Sequence, residues 1–474
     1  MSTQPAAAEE TAQEEEAIFY RSGWAGFVYH QIEEYHREPL LHYRPRYLHP
    51  VAVGDSIRPD SARCPNRPAD APTGYRILHK LGHGGEATVW LAQGVEASYR
   101  RLVSLKVYSA HCSSAAEREA RALSTSMATS NAPWAKHVLF LLDSFIIQGP
   151  NGIHHVHITD VVLPIVDAPP LSAGTKKDLL RGVARGLAHL HRCGYIHGDV
   201  HIGNVGCTMP PSFASAPLWE AMRAMYRYEV MMVLPVDPTQ SSATLPAYLL
   251  SPCALSNCYR DHVDKDPGWC PEARIFDLGN ARQTADADNV VEDVRWACPP
   301  PEAAFAHYAL GGREILPTTA TDVWCLGAMM TIIFSGMPIS QRTGKFRMLD
   351  YALLDGVLPP AWRQFWEADP KLGPITVTPT ESAEEWRKLR QAFMQQNPDF
   401  DGTDLDCLTS LLRRMLALDS AARPSMEEVL ADPWFADARL AAAGSDPGAD
   451  ADSATPLRFD DRRADHAHRK DHAT

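Results

Sequence analysis

Between Tyr75 and Val162 the chain alternates apolar and polar residues in short runs: YRILHKLG, TVWLAQ, RLVSLKVYS, HVLFLLDSFII and HHVHITDVV, separated by Gly, Pro and Asn turns. Period-two runs of this kind predict five antiparallel strands. One segment breaks the rhythm: SSAAEREARALSTSM has helical spacing, with Ala116, Ala120 and Leu123 on one face and Glu119 among its polar neighbours. After Pro169 the helical period takes over in KKDLLRGVARGLAHLHRCG, ATDVWCLGAMMTIIFSG, CLTSLLRRMLAL and SMEEVLADPWF. The fold class expected is therefore α+β, a small antiparallel β lobe (residues 47–162) followed by a larger helical lobe (residues 163–435).

Three segments stand outside this plan. Residues 1–46 form an N-terminal extension; its first 16 residues are Ala/Glu-rich and expected to be disordered, and Ile18 to Glu38 carries aromatics at mixed spacing that fit a helix or a draping arm. Residues 206–273 interrupt the helical lobe as an insertion far longer than an ordinary connection. Within it, Pro217 to Tyr228 places Leu218, Trp219, Met222, Met225 and Tyr226 at helical spacing, which predicts a helix packing that stripe. Residues 436–474 are a charge-mixed tail, expected to be disordered.

Composition narrows the function classes. The formal charge of −13 disfavours nucleic acid and anionic membrane as direct partners and is compatible with a basic peptide partner. The opening MSTQPAAAEETAQEEEA has acids where a secretory or transit peptide needs bases, so a cytoplasmic or nuclear address and a monomer are expected. The longest apolar run, Val323 to Pro338, is shorter than the roughly 20 residues that span a bilayer and reads as a buried helix. Ten cysteines lack the spacing of a disulfide framework. Cys253, Cys258, His262 and Cys270 contain zinc-ligating types, but their spacing is wider than a common zinc knuckle, and loop or core cysteines are the expectation.

The candidate chemistry lies in four places. KLGHGGEATVWLA is strand, Gly-rich turn and strand, and Gly82, Gly84 and Gly85 let backbone amides close over phosphates without Cβ hindrance. Lys106, on the next strand but one from Lys80, can pair with α- and β-phosphates, and Glu119 on the helix can hold it, with Glu117 as the rival. In YIHGDVHIGNV, Asp199 can accept a hydroxyl proton and Asn204 can ligate Mg²⁺; Asp277 in IFDLGNAR follows a short apolar strand and can hold the metal against the phosphates. Taken in this order the residues describe phosphoryl transfer with ATP and Mg²⁺.

The loop HGDVHIGN is similar to that of small-molecule phosphotransferases as well as of protein kinases. Downstream residues separate the two. Pro300 to Glu302 (PPE), TDVWCLG at Thr321 to Gly327 and Arg423 in SAARPSMEEVL resemble the peptide-platform motif of protein kinases, the helix whose Asp322 anchors the catalytic loop, and the Arg that pairs with Glu302. With YLHPVAVGDSI (Tyr47 to Ile57) and DLGNA, the chain resembles the SR-protein kinases, a family of serine/threonine kinases, in a fungal branch, over about Tyr47 to Phe435. That resemblance implies a two-lobed eukaryotic protein-kinase fold and arginine/serine-type protein substrates. It also implies a substrate-docking insert at Leu349 to Asp406, nucleotide contacts from Leu81, Val89, Asp160 and Val162 besides the three glycines and Lys106, and catalytic roles for Asp199, Lys106, Glu119 and His201 with Asn204 and Asp277 at the metal. Three departures bear on activity. Glu86 stands where the family usually has an aromatic at the loop tip, Gly198 stands where protein kinases usually carry the Arg that receives an activation-loop phosphate, which SR-protein kinases also lack, and His201 stands where most serine/threonine kinases place a Lys. His201 serves either as a partly charged partner of the phosphates or as a neutral hydrogen-bonding ring. The segment from Gln283 to Cys298, with Asp286, Asp288, Glu292, Asp293 and a single Thr, is not expected to carry a phosphate switch. A scaffold with little turnover, or a small-molecule phosphotransferase, are the alternative readings.

Overall fold

The computed structural model describes residues 19–21, 27–30 and 39–436, except 65–66, 68–70, 97, 130, 225–228, 236–241, 286–298, 313–314 and 369–375. The two terminal segments expected to be disordered and the acidic part of the 283–298 segment lie outside the described residues.

The β lobe is one antiparallel sheet built from β1 (Ser56–Ile57), β2 (Tyr75–His83), β3 (Ala87–Gly94), β4 (Leu102–Tyr108), β5 (Leu141–Gly149) and β6 (Gly152–Thr159), in the order β1-β2-β3-β4-β6-β5. Six strands replace the five expected, because the two-residue β1 pairs with Arg76 and Tyr75 at the sheet edge and is too short to show a period in the sequence. One face buries Tyr75, Ile77, Trp90, Val103, Leu105, Phe145, Val156 and Ile158 together. Helix α1 (Ser113–Ala128) buries Ala115, Ala116, Glu119, Ala122 and Leu123. Glu119 thus lies on the buried face rather than among polar neighbours, and Ala120 is only partly covered.

A short strand β7 (Val162–Pro164) leads into the helical lobe, where it forms a small antiparallel sheet with β8 (Val205–Thr208) and β9 (Ala273–Ile275). The core of this lobe is α2 (Ala173–Arg192), packed on α4 (Thr319–Ser335), with α3 (Pro301–Ala309) beside it. Helix α4 starts in a capping box between Thr318 and Thr321 and stops at Gly336, whose φ of 72° is the left-handed C-terminal stop glycine supplies at no steric cost. It is apolar all round and buried all round, as its sequence requires. Among the described residues no helix is long and apolar enough to cross a membrane. The segment Leu349 to Asp406 continues as α5 (Arg347–Asp355), α6 (Pro360–Glu367), α7 (Pro379–Gln396) and the start of α8 (Gly402–Met415). Trp386 pins α7 to α5 by donating its indole N–H to the Leu354 carbonyl (2.8 Å).

The insertion bridges both lobes. Phe213, Leu255, Cys258 and Tyr259 join the core of the helical lobe, whereas Met231, Val233, Leu245 and Leu249 close over Leu40, Tyr43 and Leu48 ahead of the sheet. The Tyr248 hydroxyl accepts from the Val53 N–H (2.8 Å), the Cys253 N–H donates to the Lys80 carbonyl (2.9 Å), and the Asn151 amide donates to the Thr244 carbonyl (2.9 Å). Where Ile18 to Glu38 is described it is neither a helix nor isolated: strands Phe19–Arg21 and Phe27–His30 pair with each other, and the second pairs with Leu234–Pro235 of the insertion. The predicted helix of the insertion spans Leu218–Ala224, but its stripe is not packed as expected. Met222 packs against the core, Leu218 is exposed and Trp219 is 65% exposed, while Met225 and Tyr226 lie outside the described residues.

The four residues of the cysteine cluster differ in their surroundings. Cys253 and Cys258 are buried, and burial pushes both thiols up to about 12, far from the thiolate a metal needs. His262 is engaged with the Ser212 hydroxyl at 2.9 Å, and Cys270 is exposed. Among the described residues no three His, Cys, Asp or Glu side chains could hold a metal ion.

Candidate active site

The cleft between the lobes gathers residues from five separated stretches of chain. On β4, Lys106 points its ammonium between two carboxylates, 2.8 Å from Glu119 Oε2 on α1 and 2.8 Å from Asp277 Oδ1 just after β9. Burial opposes the Lys106 charge, but Asp277 and Glu119 together outweigh it and hold its pKa above the usual lysine value. Burial raises the Glu119 pKa, while Asp277 is held below the usual carboxylate range because the Lys106 ammonium overcomes its desolvation. Glu117, the rival partner, is exposed on the other side of α1 and lies 3.9 Å from His155. Asp277 adopts φ 63°, a left-handed conformation that Asp tolerates better than most residues, and its side chain stays 46% exposed toward the cleft.

The loop after the Tyr195–Ile196 strand is fixed from below. Asp322, buried at the start of α4, accepts the backbone N–H of His197 (2.9 Å) and of Gly198 (3.0 Å) and the ring N–H of His191 (2.8 Å). Gly198 sits at φ 78°, and a Cβ there would meet the Asn280 carbonyl at 3.0 Å. Glycine is what this turn requires. The Asn204 amide donates to the Asp199 carbonyl (2.9 Å) and faces its carboxylate at 3.4 Å; Asn280 reaches the same carboxylate oxygen at 3.4 Å. The Phe276 N–H donates to the Asn204 carbonyl (3.0 Å), so the Asp199–Asn204 loop and the Asp277 turn move as one piece. His201 accepts the Gly203 N–H on Nδ1 (3.0 Å) and places Nε2 3.6 Å from Asp199 Oδ2. A ring nitrogen that accepts carries no proton, so this geometry puts the ring N–H on Nε2, on the Asp199 side.

The predicted nucleotide contacts line the other wall. Leu81 and Gly82 end β2, Val89 lies half-buried on β3 opposite Gly82, and a Cβ at Gly82, Gly84 or Gly85 would meet nothing within 4 Å. The molecule itself thus does not demand glycine at these three positions, and the open space above their backbone suits phosphate approaching the amides. Asp160 and Val162 lie at the β6–β7 link; the Asp160 carboxylate is engaged by Arg101, and Val162 pairs with Thr208. Glu86, at the loop tip, reaches down so that its Oε2 is 4.0 Å from where a Cβ on Gly279 would lie. Asn204, with its amide N–H groups turned to Asp199, and Asp277 offer oxygen atoms, the donors a hard cation takes.

Three residues of this arrangement were not singled out from the sequence. Asn280 touches Asp199, His191 supports Asp322, and Arg118 donates to the Gly279 carbonyl (2.9 Å). Asn280 and Arg118 stand inside the motifs DLGNA and EREARAL, a usable signal; His191 gives none, since its partner is 131 residues away. Away from the cleft, Arg423 forms a two-pronged pair with Glu302 (2.9 and 2.6 Å) under the peptide-platform motif.

The chain is similar to several known protein kinases. No family model matches the chain. A serine/threonine protein kinase of Aspergillus fumigatus is 21% identical over 412 residues, covering 82% of this chain and 87% of that protein. Serine/threonine-protein kinase SKY1 of Saccharomyces cerevisiae is 30% identical over 197 residues, 36% of this chain and 23% of SKY1. SRSF protein kinase 3 of Homo sapiens is 28% identical over 168 residues, 33% of this chain and 27% of that protein. A solved kinase domain covers 76% of this chain and 95% of its own at 13% identity and a TM-score of 0.46. With a β lobe over a helical lobe and these relatives, the chain is similar to serine/threonine protein kinases, SR-protein kinases among them.

Proposed function

We propose that the chain moves the γ-phosphoryl group of ATP to serine or threonine hydroxyls in basic, arginine/serine-type protein segments. The observation that carries this reading is the Lys106 ammonium held at 2.8 Å by both Glu119 and Asp277, with Asp199 and Asn204 tied to the same turn. Lys106 orients the α- and β-phosphates, and Glu119 positions Lys106. Amides of the Gly82–Gly85 turn cover the phosphates, Leu81 and Val89 pack on the base, and the Asp160–Val162 link borders it. Asp199 accepts the hydroxyl proton as the new O–P bond forms and the bond to the β-phosphate oxygen breaks, releasing ADP. Asn204 and Asp277 would hold Mg²⁺, which when bound neutralises charge on the transferring phosphate. His201 keeps the Asp199 loop in place by accepting the Gly203 N–H. On the substrate side, Leu349 to Asp406 carries eleven acidic and five basic residues, a balance that favours a basic peptide.

The test is ATP turnover by the full chain on an arginine/serine peptide, an acidic peptide and an aminoglycoside. Turnover on the first, lost by roughly 10²-fold or more in Asp199→Asn with nucleotide binding retained, is the expected result. Equal turnover in wild type and Asp199→Asn would place the protein among scaffolds, and preference for the aminoglycoside would place it among small-molecule kinases.

A further inference from the structure

Outside the catalytic cleft, the base of the β lobe and the insertion enclose a second cleft of about 720 Å³. Its floor is set by strand register. Ser56 on β1, Arg76 on β2 and Gln93 on β3 are successive cross-strand partners, so their side chains stand side by side on one face of the sheet. Arg58 continues that face past the end of β1, and Gln93 brings in Arg100 by donating its amide to the Arg100 carbonyl (2.6 Å). Ser215 to Leu218 of the insertion make up the facing wall. By strand alternation the same face of β3 carries Gln93, Leu91 and Val89, so the cleft lies roughly 13 Å along the strand from the proposed nucleotide wall and is a different site.

The charge balance of this cleft is opposite to that of the chain. Three guanidinium groups, Arg58, Arg76 and Arg100, line it against a single carboxylate, in a protein of net charge −13. That carboxylate, Glu96, already accepts the Thr73 N–H on Oε1 (2.7 Å). Among the described residues no side-chain hydrogen bond or salt bridge ties any of the three guanidinium groups, and Glu96 offsets the charge of Arg58 only through space, leaving Arg76 and Arg100 in excess. Three like charges facing one concavity repel each other until an anion enters, and planar guanidinium forks match phosphate oxygens two at a time. We infer that this cleft binds a small molecule bearing two or more phosphate groups, at a site separate from the one that binds ATP. A small ligand is favoured over a peptide because the volume falls within the roughly 300–1,000 Å³ of small-molecule sites.

The probe is inositol hexakisphosphate, titrated calorimetrically into the full-length protein at low and at physiological salt. One molecule is expected to bind per chain, more weakly at the higher salt. Arg58→Gln, Arg76→Gln and Arg100→Gln should each weaken it by about tenfold, the loss of one charge-assisted contact, with KM for ATP unchanged. Lys106→Ala should leave probe binding intact. Because the three substitutions are on surface arginines of different segments, a folding defect in one, seen as a lowered Tm, leaves two to decide. The inference is overturned if wild type fails to bind the probe at about millimolar concentration, where even a single weak site would show. It is also overturned if the three arginine variants bind like wild type, or if Lys106→Ala abolishes binding. Tighter binding of a phosphoserine-containing arginine/serine peptide than of the probe, lost in the same arginine variants, would equally overturn it in favour of a macromolecular ligand. Peptide phosphorylation measured alongside separates these outcomes from failure of the kinase reading.

Discussion

His201 and Gly198 are the two residues of the proposed catalytic loop that stand where a protein kinase usually carries Lys and Arg, and each has a local physical account. His201 spends Nδ1 on the Gly203 N–H, so protonating it would break a hydrogen bond that shapes the turn around Asn204. The kcat–pH profiles of wild type and His201→Asn, which retains a short acceptor, should therefore run parallel between about pH 7 and 8.5. A profile that flattens in the variant would mean that the ring works as a cation. Gly198 occupies a left-handed turn with the Asn280 carbonyl 3.0 Å from any Cβ. Gly198→Ala should cost about 1–2 kcal/mol, read as a lowered Tm, and should lower kcat as well because the strain falls on the residue beside Asp199.

At the scale of elements, two carboxylates hold parts of the helical lobe together, Asp322 buried below the proposed catalytic loop and Glu302, partly buried, away from the cleft. Asp322 joins α4 to the backbone of the catalytic loop through two N–H groups and His191. Asp322→Ala leaves those donors buried and unpaired at about 1–3 kcal/mol each, so both stability and kcat should fall while the KM for ATP changes less. A kcat equal to wild type would show that the loop holds its shape without the helix. Arg423, whose side chain is fully buried, pairs with Glu302 and also donates to the carbonyls of Ala417, Ala320 and Leu418. Arg423→Ala strands the Glu302 charge and is expected to cost about 3–5 kcal/mol, measurable by urea unfolding; a loss below about 1 kcal/mol would mean the pair is solvated. Because Gly198 leaves no arginine to receive a phosphate and Asp322 already fixes the loop, phosphatase treatment of the purified protein should leave its activity unchanged. A large gain on phosphorylating Thr284 would contradict this.

Over the whole molecule, the β lobe carries histidines that folding keeps neutral. Burial, with neighbouring His154 for the first, pushes His49 down to about 4; burial likewise pushes His137 and His154 down to about 4 and His157 to about 3. A histidine whose folded pKa lies below its unfolded value binds fewer protons folded than unfolded between the two. Stability is then fully present above about pH 6.5 and is lost as the pH falls toward 4 and 3. Tm should drop by at least roughly 5 °C between pH 7 and 5, and a flat Tm over that window would refute the account. The insertion is the other whole-molecule feature: its ends lie in the core of the helical lobe and its middle closes over Leu40, Tyr43 and Leu48. It connects the lobes by contacts that do not pass through the β6–β7 link.

The local patterns behind the two lobes and the candidate site were legible in the residues alone. Glycine runs, a lysine on a strand, and acids after turns are local patterns, and a two-residue period followed by a helical one announces the two lobes before any contact is known. The packing of single faces was less legible. Glu119 looks polar in sequence because its partner Lys106 is thirteen residues away on another element, and its burial follows only from that pairing. Leu218 and Trp219 show the converse, since helical spacing marks a stripe but cannot say whether anything comes to cover it. The edge strand at Ser56, the path of the insertion over the β lobe and the convergence of Arg58, Arg76 and Arg100 depend on pairings between distant stretches of chain. Periodicity reports which side of an element is apolar, and only the tertiary structure decides what that side meets.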